Sequence, residues 1–138
     1  MARIDASDWD ALALDMEAIT TLPRAVLDEM ILAEAEVIKE AQSKEAESML
    51  QGPYYQGAVA KAVHVNHPTR SPDGVSVTIT FKGSQHGNRL GEIAYVNEYG
   101  KHGQAARPFI NTANERKAEP AVEAAAAVYD KYLAEHGL

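Results

Sequence analysis

Between Pro23 and about residue 50, apolar side chains recur at spacings of three and four: Val26, Leu27, Met30, Ile31, Ala33, Val37, Ile38 and Ala41. Such spacing places one stripe along an α-helix, and a helix with one apolar stripe must bury it against something else. Asp28, Glu29, Glu34, Glu36, Lys39 and Glu40 mostly fill the opposite side, with Glu40 in register to pair with Lys44. Pro23 suits a helix start, Gly52 offers a left-handed stop and Pro53 forbids continuation. The stretch 23–51 is therefore predicted as one long amphipathic helix, and the rest of the chain must supply its partner.

The centre supplies a sheet. Val75, Val77, Ile79 and Phe81 alternate with Ser76, Thr78, Thr80 and Lys82, a period of two with one dry face. Ala58 to Val65 carries Val59, Val63 and Val65 on one face and reads as a partner strand. The turn-rich residues Pro68-Thr69-Arg70-Ser71-Pro72-Asp73-Gly74 join the two as a hairpin. Gly83 to Arg89 reads as a mobile polar loop. Glu92 to Gly100 fits a short helix or a third strand equally well, with Gly100 suited to a helix C′ position. Pro108 again stands at a helix start. Apolar residues from Phe109 to Leu133 continue a C-terminal helix over 108–136, which Pro120 should kink or divide. Ahead of the long helix, Ser7-Asp8-Trp9-Asp10 opens a short one within an extension covering 1–22. The expected architecture is a single α+β domain over 1–138. Its long N-terminal amphipathic helix and its C-terminal helix pack on a small antiparallel sheet spanning 57–100.

Composition narrows the function. The chain has no cysteine, which removes disulfide frameworks, thiolate nucleophiles and thiolate metal sites. The N-terminus lacks a signal-peptide apolar region and no apolar run approaches the ~20 residues that span a bilayer. A soluble protein made in a cytosol-like compartment is expected, with no membrane partner. Net charge is −7, distributed as −8 over residues 1–50, +4 over 51–118 and −3 over 119–138. An acidic whole disfavours nucleic acid as the main ligand. A basic middle between acidic ends suits subunits that pack one's positive face on the next one's negative face.

Catalytic motifs are missing. His64 and His67 are three apart on a predicted strand, on opposite faces, and converge on no metal. Neither an HExxH helix, nor a Gly-x-Ser-x-Gly elbow, nor a phosphate-binding loop occurs. No catalytic, cofactor or metal site is assigned. A small hydrolase around His86, His102 and Glu98 remains the least favoured reading. Tyr95 and Tyr99, with Arg107 and Phe109, make a group of the residue types enriched in interfaces.

The segment Ile93-Ala94-Tyr95-Val96-Asn97-Glu98-Tyr99-Gly100, then a loop, then Ala106-Arg107-Pro108-Phe109-Ile110-Asn111-Thr112-Ala113, resembles a known pattern. It is similar to the head–tail joining, or tail-completion, family of long-tailed double-stranded DNA bacteriophages. Members read as an aliphatic-aromatic segment ending in Glu-aromatic-Gly, a loop, then Arg-Pro-Phe-aliphatic and a C-terminal helix. The order of elements agrees from about Pro23 to Leu133. The resemblance implies a structural, non-enzymatic subunit of the virion neck or tail, made in the host bacterial cytoplasm and assembled as a homo-oligomeric ring. Its partners would be neighbouring neck and tail proteins, with DNA passing through an acidic lumen without specific binding. Glu98 and Arg107 then become candidate cross-subunit partners, with Tyr95, Tyr99, Phe109 and Ile110 as apolar members of the interface. The alternative is a small non-catalytic protein-binding adaptor or assembly chaperone that uses the same patch.

Overall fold

The computed structural model describes residues 2–3, 22–50, 57–72 and 74–137. The expected short helix after Ser7, the Gly52-Pro53 stop and Tyr54 and Tyr55 lie outside these residues. The fold is helix-rich α+β. A first strand β1 (Ala2–Arg3) precedes the long helix α1 (Arg24–Met49), followed by a short helix α2 (Ala58–Ala62). The strands β2 (Val63–Val65), β3 (Thr69–Ser71), β4 (Gly74–Val77), β5 (Ile79–Phe81), β6 (Ser84–Gln85) and β7 (Asn88–Arg89) come next. Helices α3 (Leu90–Tyr99) and α4 (Phe109–Glu135) complete the chain.

Helix α1 is the central element because both of its flanks are covered. Its stripe is broad enough to divide: Met30 faces Ala125 and Tyr129 of α4, while Ile31 and Ala35 face Val75 and Val77 of β4. The two long helices run antiparallel, since Met30 meets Tyr129 at one end and Gln42 meets Asn114 at the other. Alanines on the α4 seam, Ala113, Ala121 and Ala125, are buried and let the helix axes approach closely. Coverage on two sides also buries Glu34 and Gln42, polar residues that the stripe alone assigns to the wet face or leaves out. The Gln42 amide donates to Asn114 Oδ1 at 2.9 Å. Arg116 reaches Glu45 at 2.7 Å beside it, so a polar clasp marks that end of the helix pair. Ion pairs along α1 fall at Arg24–Asp28 and Lys39–Glu36.

Four sequence expectations change. Residues 58–62 are helical, because Ala58-Val59-Ala60-Lys61-Ala62 is alanine-rich and Gly57 enters it with φ 78°. Only Val63–Val65 pairs as a strand, antiparallel to β5, with Val63 opposite Phe81. The hairpin itself forms, but its register moves by one between Val65↔Ile79 and Thr69↔Ser76, where residues 66–68 oppose 77–78. That extra residue is a bulge, and it divides the single predicted strand 75–81 into β4 and β5. Asn66 bridges the break, donating from its amide to Thr78 Oγ1 at 2.9 Å. The loop 83–89 is a two-strand ribbon turned by His86 (φ 51°) and Gly87 (φ 80°), consecutive positive φ values of the kind a tight hairpin requires. Pro120 neither ends nor divides α4, which is continuous from Phe109 to Glu135. The proline lies on the exposed face, as does Arg116, whose carbonyl loses its helical N–H partner.

Candidate functional site

The undecided segment 90–99 is the helix α3, and it builds the site. Leu90 and Ala94 are buried in a cluster with Ala46, Leu50, Val59 and Phe109. Gly91 in its first turn stands against the backbone of β5, where a Cβ would lie 3.7 Å from the Phe81 carbonyl oxygen. The helix ends at Gly100 (φ 78°), whose N–H donates to the Val96 carbonyl at 2.7 Å. A Cβ there would come within 2.9 Å of two backbone atoms, Ala106 N and Gln104 O. Only glycine fits that crossing.

From Gly100 the chain makes a tight loop, Lys101 bridging to Gln104, and returns to α3. The Arg107 N–H donates to the Asn97 carbonyl at 2.6 Å, which fastens the return strand to the last turn of the helix. Pro108 follows with φ −77° and ψ 65°, an inverse γ-turn closed by the Phe109 N–H donating to the Arg107 carbonyl at 2.8 Å. Glu98, 7% exposed, then accepts from the next two amides: Ile110 N–H to Oε2 at 2.8 Å and Asn111 N–H to Oε1 at 2.9 Å. Thr112 donates to the Pro108 carbonyl as the first regular helical bond. A helix normally begins with donors that lack partners. Here the loop carbonyl and the Glu98 carboxylate take all of them, and the negative charge meets the positive end of the α4 dipole.

The candidate interface residues therefore fall into two groups. Glu98 and Phe109 are internal: Glu98 is spent on α4, and Phe109 is fully buried, edge-on to Phe81 with ring centroids 5.8 Å apart. The Glu98 carboxylate forms a backbone cap within the chain, while the Arg107 side chain is exposed. Ile110 is half-buried. Tyr95 and Tyr99 are the outward group, 63% and 69% exposed, with ring centroids 4.7 Å apart on one face of α3. Their spacing of four along a helix accounts for the contact.

Below the tyrosines runs an open cleft in two connected parts, about 650 Å³ and 440 Å³, that share Phe81, Gly91 and Tyr95. One part extends to Arg89 and Glu92, which are bound to each other at 2.6 Å. The other extends over Tyr99 and Ile110 to Asn114. The floor of the first part is mainly apolar, while Glu98, Asn111 and Asn114 add polar groups to the second. Cations gather in the same segment: Lys82, Arg89, Lys101 and Arg107 are exposed against one exposed acid, Glu92. Residue type singles out the tyrosines and Arg107 in the sequence, whereas Phe81 and Gly91 join the cleft only because β5 lies beside α3.

His86 and His102 each occupy an exposed turn. Among the described residues no three His, Cys, Asp or Glu side chains are grouped to hold a metal ion. No helix among them is long and apolar enough to cross a membrane. No protein-family model, curated protein or solved structure matches the chain.

Proposed function

We propose that the chain is a non-catalytic structural subunit of a bacteriophage virion, joining head and tail or completing the tail as a homo-oligomeric ring around the DNA channel. One observation carries this reading: two large aromatic side chains, Tyr95 and Tyr99, stand exposed on a helix whose other face is fixed in the core. A protein keeps such a pair on its surface where another protein covers it, and tyrosine is enriched at the centres of interfaces. The support from sequence is the Glu-Tyr-Gly to Arg-Pro-Phe resemblance and the segregation of charge along the chain. Its neighbours would be neck and tail proteins, and its location the virion after synthesis in the host cytoplasm.

The test is the native mass by light scattering, first of the purified chain and then with tail or portal material present. A closed ring, or a monomer that becomes one on its template, supports the proposal. A monomer that joins no such particle refutes it.

A further inference from the structure

Resting on that reading, we infer that the cleft between β5 and α3 receives the acidic outer ridge of α1 from a neighbouring copy of the same chain. The described residues contain three exposed large hydrophobic side chains: Tyr95, Tyr99 and Leu32. Two rim the cleft. The third lies on the outer face of α1, opposite the stripe that α4 and the sheet cover. At 100° per residue Glu29, Glu36, Glu40 and Glu47 fall within roughly 40° of one another, and Leu32 flanks them. All five are exposed. The ridge thus combines one aliphatic side chain with four carboxylates, set against Lys44 on its border and a surface pair from Lys39 to Glu36.

The cleft offers two aromatic rings over a largely apolar floor; Arg89 in its lining is paired with Glu92, and Lys82, Lys101 and Arg107 are the exposed cations of the adjoining chain that have no ion pair among the described residues. Glu98 also lines the cleft and keeps its charge, which its two oxygens direct at the amides that open α4. Lengths agree as well. Leu32 to Glu40 spans about 12 Å and α3 about 15 Å at the helical rise of 1.5 Å per residue. Ridge and cleft share no residue, so the contact is able to repeat head to tail, and the cross-link ladder of the double variant separates that from a two-fold pair. Each subunit gives a ridge to one neighbour and a cleft to the other, the geometry from which closed rings are built. Leu32 seats against the tyrosines, while Glu36 and Glu40 come near Arg107 and Lys101. The charged rim steers the encounter and sets the register, and the tyrosine–leucine contact holds it.

The chain has no cysteine, so single thiols report the contact cleanly. Leu32→Cys and Tyr99→Cys change exposed positions, and their urea midpoints are checked first against the parent. Treated with a short bis-maleimide, a mixture of the two variants is expected to give covalent dimers that neither gives alone. The double variant is expected to give a ladder that ends at the ring. Independently, Arg107→Glu should weaken self-association roughly tenfold or more, and adding Glu40→Arg should recover it. Assembly at the parent's mass without a mixed cross-link overturns the ridge as occupant and leaves the ring reading standing. Cross-linking of Tyr99→Cys to itself overturns it in favour of a two-fold contact. Cross-linking only to an added neck or tail protein overturns it in favour of that partner. A chain that is monomeric with and without template removes both the inference and the reading beneath it.

Discussion

Replacing Glu98 with alanine removes the acceptor for the Ile110 and Asn111 amides at the start of a 27-residue helix. Hydrogen bonds to a charged group contribute about 1.5–3 kcal/mol each. A lost cap costs about 0.5–2 kcal/mol in whole proteins, since water recovers part of the loss. The carboxylate is buried, so recovery is incomplete and Glu98→Ala should cost about 3 kcal/mol. Glu98→Gln keeps one carbonyl oxygen for one amide, but loses the second bond and the charge facing the helix dipole, and should cost about 1.5 kcal/mol. The assay is urea unfolding followed by far-ultraviolet circular dichroism. At a slope of about 1.5–2 kcal/mol per molar, the alanine variant's midpoint should fall by about 1.5–2 M with the slope unchanged. Arg107→Ala serves as the control. Its side chain is exposed, so folding stability should stay within about 0.5 kcal/mol. The cap reasoning fails if Glu98→Ala also stays within that margin, or if Arg107→Ala costs as much, which would mean that the two side chains act as a pair.

Gly100→Ala should cost more than about 2 kcal/mol in the same unfolding assay, because the positive φ is joined by a Cβ pressed against Ala106 N and Gln104 O. Gly87→Ala, with a similar φ and open space around it, should cost only about 1 kcal/mol, so equal costs would remove the crowding argument. Tyr95→Ser with Tyr99→Ser should leave the folding stability within about 0.5 kcal/mol of the parent and abolish self-association in light scattering; full assembly would show that the pair is not an interface. Tyr129, 3% exposed, has its phenol pKa raised, first by burial and then by Asp130 and Tyr132. The folded state therefore holds the phenol proton more tightly than the unfolded chain. This stabilisation is fully present below the unfolded value of about 10 and is lost as pH climbs from there through the raised folded value. Tyr129→Phe should flatten that alkaline decline in midpoint-against-pH measurements, and an unchanged decline would assign it to other groups.

What was readable in the sequence is what periodicity encodes. The α1 stripe and the alternation from Val75 to Phe81 each depend on one face being buried, and local spacing records that directly. The failures have equally physical causes. Residues 58–62 alternate like a strand, but they are alanine-rich and follow Gly57, and Ser43 on α1 holds the helical turn by donating to the Ala60 carbonyl at 2.8 Å. That contact is seventeen residues away and no window of spacing contains it. Segment 90–99 could not be decided because its apolar residues serve a three-sided environment of β5, α2 and α4, and no single period results. Pro120 does not divide α4: the long seam with α1, including Ala113, Ala121 and Ala125, keeps the helix continuous through the one missing bond. For the site, residue type exposed the tyrosines. Burial of Glu98 depended on where the chain returns after Gly100.

The Glu-Tyr-Gly to Arg-Pro-Phe segment thereby acquires a physical meaning that does not depend on any partner. Glutamate closes the start of α4, glycine permits the crossing at Ala106, proline sets the γ-turn and phenylalanine fills the core against Phe81. Each serves the fold of the chain, so the motif by itself is a statement about architecture and is compatible with many surfaces. The functional content lies in the residues between those fixed points. Tyr95 and Tyr99 are largely exposed, spaced to touch each other, and stand on a helix clamped at both ends. Clamping matters for binding, because side chains on a rigid helix lose less freedom on docking than side chains on a loop. The same bonds that make Glu98 unavailable to a neighbour therefore hold Tyr99, Arg107 and the cleft in the geometry that a neighbour would meet.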